Sequence, residues 1–209
     1  GVENEWNLAE WLYVFIVHRV TGSGINYAKK PSGYNNTILP KFWSCDTIEQ
    51  MTQVIANRES TIYTSVGYQF PAFPKPIDGY KLGGDYFLCC YAPRLARNLA
   101  EWLESKGKRD LRDIGEWMFD WNKKQGLRAY KFQYAAVVSD IADFFPQFVN
   151  LNSPFFYGTN AVECLKYAAK PLSKGKEQDF LDEVTMKFCK DIGSTAYDGE
   201  DIFCDGIRW

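Results

Sequence analysis

A short stretch near the amino terminus combines residue types that suit anion binding. His18 and Arg19 close an apolar segment, and the small residues Thr21-Gly22-Ser23-Gly24 follow. Arginine binds phosphate through two parallel hydrogen bonds, and glycines allow successive backbone N–H groups to point into one concavity. The pattern indicates a phosphate site. A plain helix end, with His18 and Arg19 favourable at the negative pole of the helix dipole, explains the same residues.

A second stretch, Gly67-Tyr68-Gln69-Phe70-Pro71-Ala72-Phe73-Pro74-Lys75-Pro76, is rich in aromatic residues and proline. Proline stiffens a loop, so its aromatic rings can form a rigid surface on which a flat base stacks. Gln69 carries both a donor and an acceptor for a base edge. The alternative is a loop whose aromatic side chains fill the core.

Two aspartates, Asp140 and Asp143, are three residues apart in an apolar helical segment and therefore share one face. A carboxylate beside an apolar wall is a candidate general base, because desolvation disfavours its charged form. Asp140 follows the small residues Ala136 and Ser139, which leave room for a ligand, so we expect it to be the base. We expect Asp143, beside the aromatic end of the helix, to have a capping role. One exposed aspartate and one structural aspartate would produce the same pattern.

A second aromatic stretch, Asn152 to Asn160, contains Phe155, Phe156 and Tyr157 and is followed by a helix start. The N-terminus of a helix is an anion site. The Asn160/Glu163 capping box argues against an anion here, because the glutamate would repel it. An ordinary cap with Tyr157 packed beneath it is the alternative.

The elements that hold these residues are predicted to be helices. Apolar spacing and end signals predict seven, over residues 5–20, 46–57, 93–106, 110–125, 130–145, 160–169 and 175–192. An Asp46/Glu49 capping box is expected to start the second helix. Residues 64–86 are rich in Pro and Gly and predict a long ordered loop. We expect a mostly α, single-domain helical bundle over residues 1–209 with long aromatic and Pro-rich loops, in which residues 193–209 form a tail docked through Phe203, Ile207 and Trp209.

Composition and charge limit the kinds of function that the chain can have. The 209-residue chain has a net charge of −2, so bulk electrostatics would not hold it on DNA. Aromatic residues make up 17%, more than a compact core needs. A single histidine excludes the usual His-rich metal sites. Six cysteines without a CxxC pair suggest free thiols in a reducing compartment. The absence of an 18-residue apolar run predicts a soluble chain without a membrane partner.

Four motifs occur together between about Trp6 and Ala169, which is most of the chain: HRxTGSGxNY, GYQxPxFPKP, YAPRLAR and FQYAAxxxDIADxFPxxVNxxSxFFYGTNAxECL. This set resembles the α-glutamyl/putrescinyl thymine pyrophosphorylase family. These proteins are the amino acid:DNA transferases of bacteriophages with hypermodified thymines.

The resemblance implies a reaction on double-stranded DNA that carries a modified base. A phage kinase first converts 5-hydroxymethyluracil to 5-pyrophosphoryloxymethyluracil, and the transferase lets an amine of a free amino acid or polyamine displace pyrophosphate. No cofactor is required; Mg²⁺ on the pyrophosphate is compatible with the reaction. The family's likeness to all-helical DNA glycosylases implies base flipping, and its phage origin implies the cytoplasm of an infected bacterial host.

The resemblance also implies roles for the candidate residues. The catalytic set is Arg19, Asp140, Asp143 and His18, in which Arg19 stabilises the leaving group and an aspartate accepts the amine's proton. The residues that would bind substrate or pyrophosphate are Thr21, Gly22, Ser23, Gly24, Asn26, Lys75 and Asn160. The residues that would stack on or read the extruded base are Tyr68, Gln69, Phe70 and Tyr157. No metal ligands are expected.

Two other functions fit the same residues. A glycosylase-like hydrolase would use the aspartate at the glycosidic carbon and release a free base. A non-catalytic reader of modified DNA would bind without releasing phosphate or altering the base.

Overall fold

The fold is mostly helical, as the apolar spacing predicts. The computed structural model describes residues 5–21, 39–58, 79–80, 83–127, 131–157, 159–168, 177–195, 198–199 and 202–203. Within these residues the helices are α1 (Leu8–Thr21), α2 (Leu39–Phe42), α3 (Ile48–Ala56), α4 (Gly83–Tyr86), α5 (Ala92–Glu104), α6 (Leu111–Lys124), α7 (Lys131–Phe144), α8 (Thr159–Ala168) and α9 (Glu177–Ile192). A π-helical turn, Phe87–Tyr91, joins α4 to α5, and the short strands β1 (Arg109–Asp110) and β2 (Val149–Asn150) pair in parallel.

Helix α1 lies at the centre of the hydrophobic core, as its nearly continuous apolar sequence predicts. Leu12, Tyr13 and Ile16 are at most 1% exposed, and the helix packs on α5 and α7. The Tyr13 hydroxyl donates a hydrogen bond of 2.8 Å to the Leu88 carbonyl, which ties α1 to the π-helical turn. Burial raises the pKa of Tyr13 well above its usual value. The central helix therefore carries Arg19 on a rigid base.

Helix α6 ends where the sequence predicts, while the cap of α3 is displaced by one residue. Asp110 is the N-cap of α6, and Gly126, with φ of +71°, follows its C-cap. At α3 the prediction of an Asp46/Glu49 box is wrong. Thr47 accepts the Gln50 N–H at 3.3 Å, and the Gln50 side chain accepts the Asp46 N–H at 2.5 Å. Thr followed three residues later by Gln is also a capping-box sequence, so the two boxes compete.

The predicted loop over residues 64–86 is wrong at its end, because the chain is already helical from Gly83. The helix continues through the π-helical turn, where the Ala92 N–H donates to the Phe87 carbonyl, five residues back. Burial of Phe87, Leu88 and Tyr91 in the core outweighs the low helix propensity of the glycine pair. Pro93 follows this widened turn; in a regular helix its ring would clash with a carbonyl of the preceding turn.

A buried polar network fixes three segments against one another. The Tyr91 hydroxyl donates to the Asn122 side-chain oxygen, and the Asn122 amide donates to the Tyr134 hydroxyl and to the Met118 carbonyl. All three linked side chains are nearly inaccessible to solvent, and burial raises the pKa of both tyrosines. Because an unmade hydrogen bond in the core is costly, this network specifies how the π-helical turn, α6 and α7 pack.

The last described residues lie against α9. Phe203 is 9% exposed, and its ring centroid is 5.3 Å from that of Phe188. Ile207 and Trp209, the other residues expected to dock the tail, lie outside the described residues. Among the helices that the structure describes, none combines the length and the apolar character needed to cross a bilayer.

Candidate functional site

The site is built on an ion pair between the last turn of α1 and the C-terminal half of α7. Arg19 Nε donates to Asp140 Oδ2 at 2.7 Å, and an Arg19 terminal nitrogen donates to Asp140 Oδ1 at 2.5 Å. The two bonds are parallel, which is the bidentate geometry that arginine forms with carboxylates. The Arg19 side chain is 29% exposed, whereas the Asp140 side chain is 11% exposed. The guanidinium can therefore be reached from solvent, while its partner is largely buried.

Helices α1 and α7 run antiparallel past this pair, because contacts one turn away connect the opposite ends. Phe15 precedes Arg19 by one turn on α1, and Phe144 follows Asp140 by one turn on α7. The two phenylalanine ring centroids are 5.3 Å apart. Residues four apart share a helix face, so aromatic contacts and the ion pair form one continuous seam.

His18 occupies the same turn of α1 as Arg19 and is half-buried. Burial lowers its pKa below the usual 6.5, and the positive charge of Arg19 lowers it further, while Asp140 opposes both effects. The imidazole is therefore neutral around neutral pH. A neutral imidazole nitrogen can accept a proton, which an imidazolium cannot.

The geometry favours an orienting task for Asp140, and its expected role as the base stays a prediction. Both of its oxygens accept N–H groups of Arg19, so the carboxylate sets the plane and direction of the guanidinium. An aspartate held in this way orients a cation. Asp143, the other candidate base, is exposed one turn further along α7 and beside Phe144.

The structure does not bring every candidate to this seam. Tyr157, expected to stack on a base, is 5% exposed and packs beside Phe155. The preceding loop is fixed to α6, where the Leu111 N–H donates to Ser153 Oγ at 2.8 Å and the Arg112 N–H to the Pro154 carbonyl at 3.0 Å. Tyr157 therefore presents no ring face to a ligand in this arrangement, which does not favour its expected stacking role.

Most of the expected pyrophosphate and base contacts stay predictions. Thr21 is the last residue of α1 and Asn160 lies in the first turn of α8, but their side chains are outside the described part of the chain. The remaining candidates lie wholly outside the described residues: Gly22, Ser23, Gly24, Asn26, Tyr68, Gln69, Phe70 and Lys75.

Two exposed aromatic residues that contact Trp11 were missed by the sequence reasoning. Trp43 and Phe144 are 50% and 61% exposed, and both rings lie within 6.2 Å of the Trp11 ring. The signal in the sequence is the spacing of Trp11, Phe15 and Arg19, which are four residues apart on one face of α1. That face was interpreted only as core.

Among the described residues, no group of three or more His, Cys, Asp or Glu side chains is arranged to hold a metal ion. The binding of Mg²⁺ to the pyrophosphate itself stays a prediction.

No protein-family model, curated protein or solved structure matches the chain.

Proposed function

We propose that this chain transfers an amine to a modified thymine base in DNA, displacing pyrophosphate from 5-pyrophosphoryloxymethyluracil. The observation that carries the proposal is the bidentate Arg19–Asp140 pair with His18 in the same turn. The motifs that resemble amino acid:DNA transferases include all three residues.

The reaction forms one bond and breaks one. The amine nitrogen attacks the exocyclic methylene carbon at C5 of the base, and the bond from that carbon to the pyrophosphate oxygen breaks with its electron pair. The products are a C5-aminomethyl adduct, free pyrophosphate and one proton. No electron is gained or lost overall, so the reaction needs no redox partner.

Arg19 would stabilise the negative charge that develops on the leaving oxygen. A guanidinium that is already oriented costs no reorganisation when the bond breaks, and such preorganised electrostatics are a large term in enzymatic catalysis. Asp140 supplies that orientation through its two hydrogen bonds. The partial exposure of Arg19 leaves a path for the pyrophosphate group to approach.

His18 would take the proton that the amine loses on forming the new bond. An effective general base has a pKa near the working pH and is unprotonated when the substrate arrives. Burial and the neighbouring Arg19 keep the pKa of His18 low and the imidazole neutral. Arg19, oriented by Asp140, would thus stabilise the leaving group, and His18 would accept the proton.

The test is to incubate the protein with duplex DNA that carries the pyrophosphorylated base, together with a panel of amino acids and polyamines. The DNA is then digested to nucleosides and the masses are measured. An aminated nucleoside supports the proposal. Release of a free base with an abasic site would identify a glycosylase-like hydrolase, and tight binding with unaltered nucleosides would identify a reader; either result overturns the proposal.

A further inference from the structure

Two exposed aromatic side chains, Trp43 and Phe144, contact the half-buried Trp11 and form a defined surface with it. We call Trp11, Trp43 and Phe144 the aromatic platform. Trp43 is half exposed although it stacks on Trp6, with ring centroids 5.1 Å apart and ring planes 10° apart. Large exposed aromatic rings cost free energy in water, so a surface built from them calls for an explanation.

The platform is rigid, because each exposed ring rests on a fixed one. Trp6 is 8% exposed, and its indole N–H donates to the Cys45 carbonyl at 2.7 Å. Burial and this hydrogen bond hold the ring beneath Trp43. Phe144 stacks on Trp11 with centroids 6.2 Å apart and planes 18° apart. Trp11 meets Trp43 edge-on, with centroids 6.1 Å apart. Rings held in this way lose little conformational freedom when a further flat ring stacks on them.

Two of the three platform residues, Trp11 and Phe144, lie on the helices that carry the Arg19–Asp140 pair. On α1, Trp11 and Phe15 precede Arg19 at successive turns, and on α7 Phe144 follows Asp140 by one turn of about 5.4 Å. Aromatic rings beside an arginine match the two parts of a nucleotide, a flat base and a charged phosphate.

We infer that the aromatic platform binds unpaired nucleobases of the DNA strand by stacking, with the adjoining phosphates on the Arg19 side. The inference rests on the proposed function for its choice of DNA as the partner. It assigns base contacts to α1, α7 and the residue after α2, in addition to the Pro-rich segment that the sequence indicates.

The experiment measures binding of a fluorescently labelled oligothymidylate of about 12 nucleotides by anisotropy. The competitor is an abasic oligonucleotide with the same number of phosphates. We expect the abasic strand to bind at least about tenfold more weakly, because base–aromatic stacking supplies a large part of the affinity. Trp43→Ala and Phe144→Ala should each weaken oligothymidylate binding by about tenfold, whereas Trp43→Phe should retain most of it.

Tyr167→Ala is the matched control, because Tyr167 is a large aromatic side chain on α8 that is 74% exposed and forms no part of the platform. It should bind like the unaltered protein. Phe144, the more exposed of the two platform residues that are substituted, provides a variant that folds even if Trp43→Ala does not. Equal affinity for the abasic strand overturns the inference, and so does unchanged binding by folded Phe144→Ala. Loss of self-association in Phe144→Ala without loss of DNA binding would also overturn it, and would make the platform a protein interface.

The two proposals fail separately. Base-dependent binding that needs Phe144, in a protein that forms no aminated nucleoside, supports the platform and removes the transferase. Amine transfer at full rate by Phe144→Ala, with oligothymidylate affinity also unchanged, supports the transferase and removes the platform.

Discussion

Arg19 and Asp140 lie 121 residues apart in the sequence and meet through two parallel hydrogen bonds of 2.7 and 2.5 Å. The pair joins the end of the central helix α1 to α7, and His18 lies in the same turn. Because Asp140 orients the guanidinium, the two residues are expected to act as one unit in catalysis. The following predictions test that arrangement residue by residue.

Arg19→Lys tests whether the fork of the guanidinium matters as well as its charge. Lysine is a point charge that cannot form the bidentate contact with Asp140. We expect Arg19→Ala to lower kcat by about 10²–10³-fold, and Arg19→Lys to recover little of that loss. The measurement is amine transfer under single turnover, with circular dichroism to confirm folding. Arg97→Ala is the matched control, because Arg97 also pairs with a carboxylate, that of the exposed Glu49. Full activity of Arg19→Lys would remove the geometric role of the pair.

Asp140→Asn separates orientation from proton acceptance. If Asp140 only orients Arg19, the double variant Arg19→Ala/Asp140→Asn should be no slower than Arg19→Ala alone, since residues that act as a unit are not additive. The rate of Asp140→Asn should then show no recovery at higher pH. Recovery at higher pH, where more amine is already neutral, would restore the base role that the sequence suggests for Asp140. Asp143→Asn, one turn away, is expected to leave kcat unchanged.

His18 offers a direct measurement, because it is the only histidine in the chain. Burial and the charge of Arg19 lower its pKa, so the imidazole resonance in proton NMR should titrate with a midpoint below 6.5. The unfolded chain then binds this proton more readily than the folded one. The contribution of His18 to stability is complete above about pH 6.5 and is lost as the pH falls through the lowered pKa. His18→Gln should remove that part of the acid destabilisation and should slow transfer. A midpoint at or above 6.5 would contradict the neutral-base assignment.

Gly115→Ala tests the packing that holds the loop before α8 onto α6. A Cβ at Gly115 would lie 2.2 to 2.5 Å from three Phe156 side-chain atoms, including the Phe156 Cβ, which cannot move without its backbone. We expect destabilisation of about 1–3 kcal/mol, despite the better helix propensity of alanine. Gly107→Ala is the control, because nothing lies within 4 Å of the added carbon. Chemical denaturation measures both, and equal midpoints would show that Phe156 adapts freely.

Local signals were enough to predict most helices within a few residues. Gly126, with φ of +71°, marks the end of α6 through local geometry alone. The start of α6 is capped by a distant segment, because the Asp110 side chain makes no capping hydrogen bond and the Leu111 N–H donates to Ser153 Oγ. The helical start at Gly83 could not be obtained in this way. Its glycines favour a loop locally, and the burial of Phe87 and Leu88 that overrides them depends on contacts with distant parts of the chain.

The candidate site could likewise be predicted only in part from local sequence. Arg19 and Asp140 can each be selected from their residue types and neighbours, but nothing in one sequence indicates that they pair with each other. Tyr157 illustrates the converse, because an aromatic residue before a helix is equally suited to a ligand and to the core. Its burial is decided by how the preceding loop is fixed to α6 through Ser153. Tertiary contacts, rather than local pattern, distinguish these cases.

The most direct test of the account is a balance of products. DNA that carries 5-pyrophosphoryloxymethyluracil is incubated with the amine that reacts best in the panel, and the released pyrophosphate and the aminated nucleoside are quantified in the same reaction. The account predicts equal amounts of the two, both reduced about 10²–10³-fold in folded Arg19→Ala and both unchanged in Arg97→Ala. Release of pyrophosphate without an aminated nucleoside, or an aminated nucleoside formed at the full rate by Arg19→Ala, would contradict it.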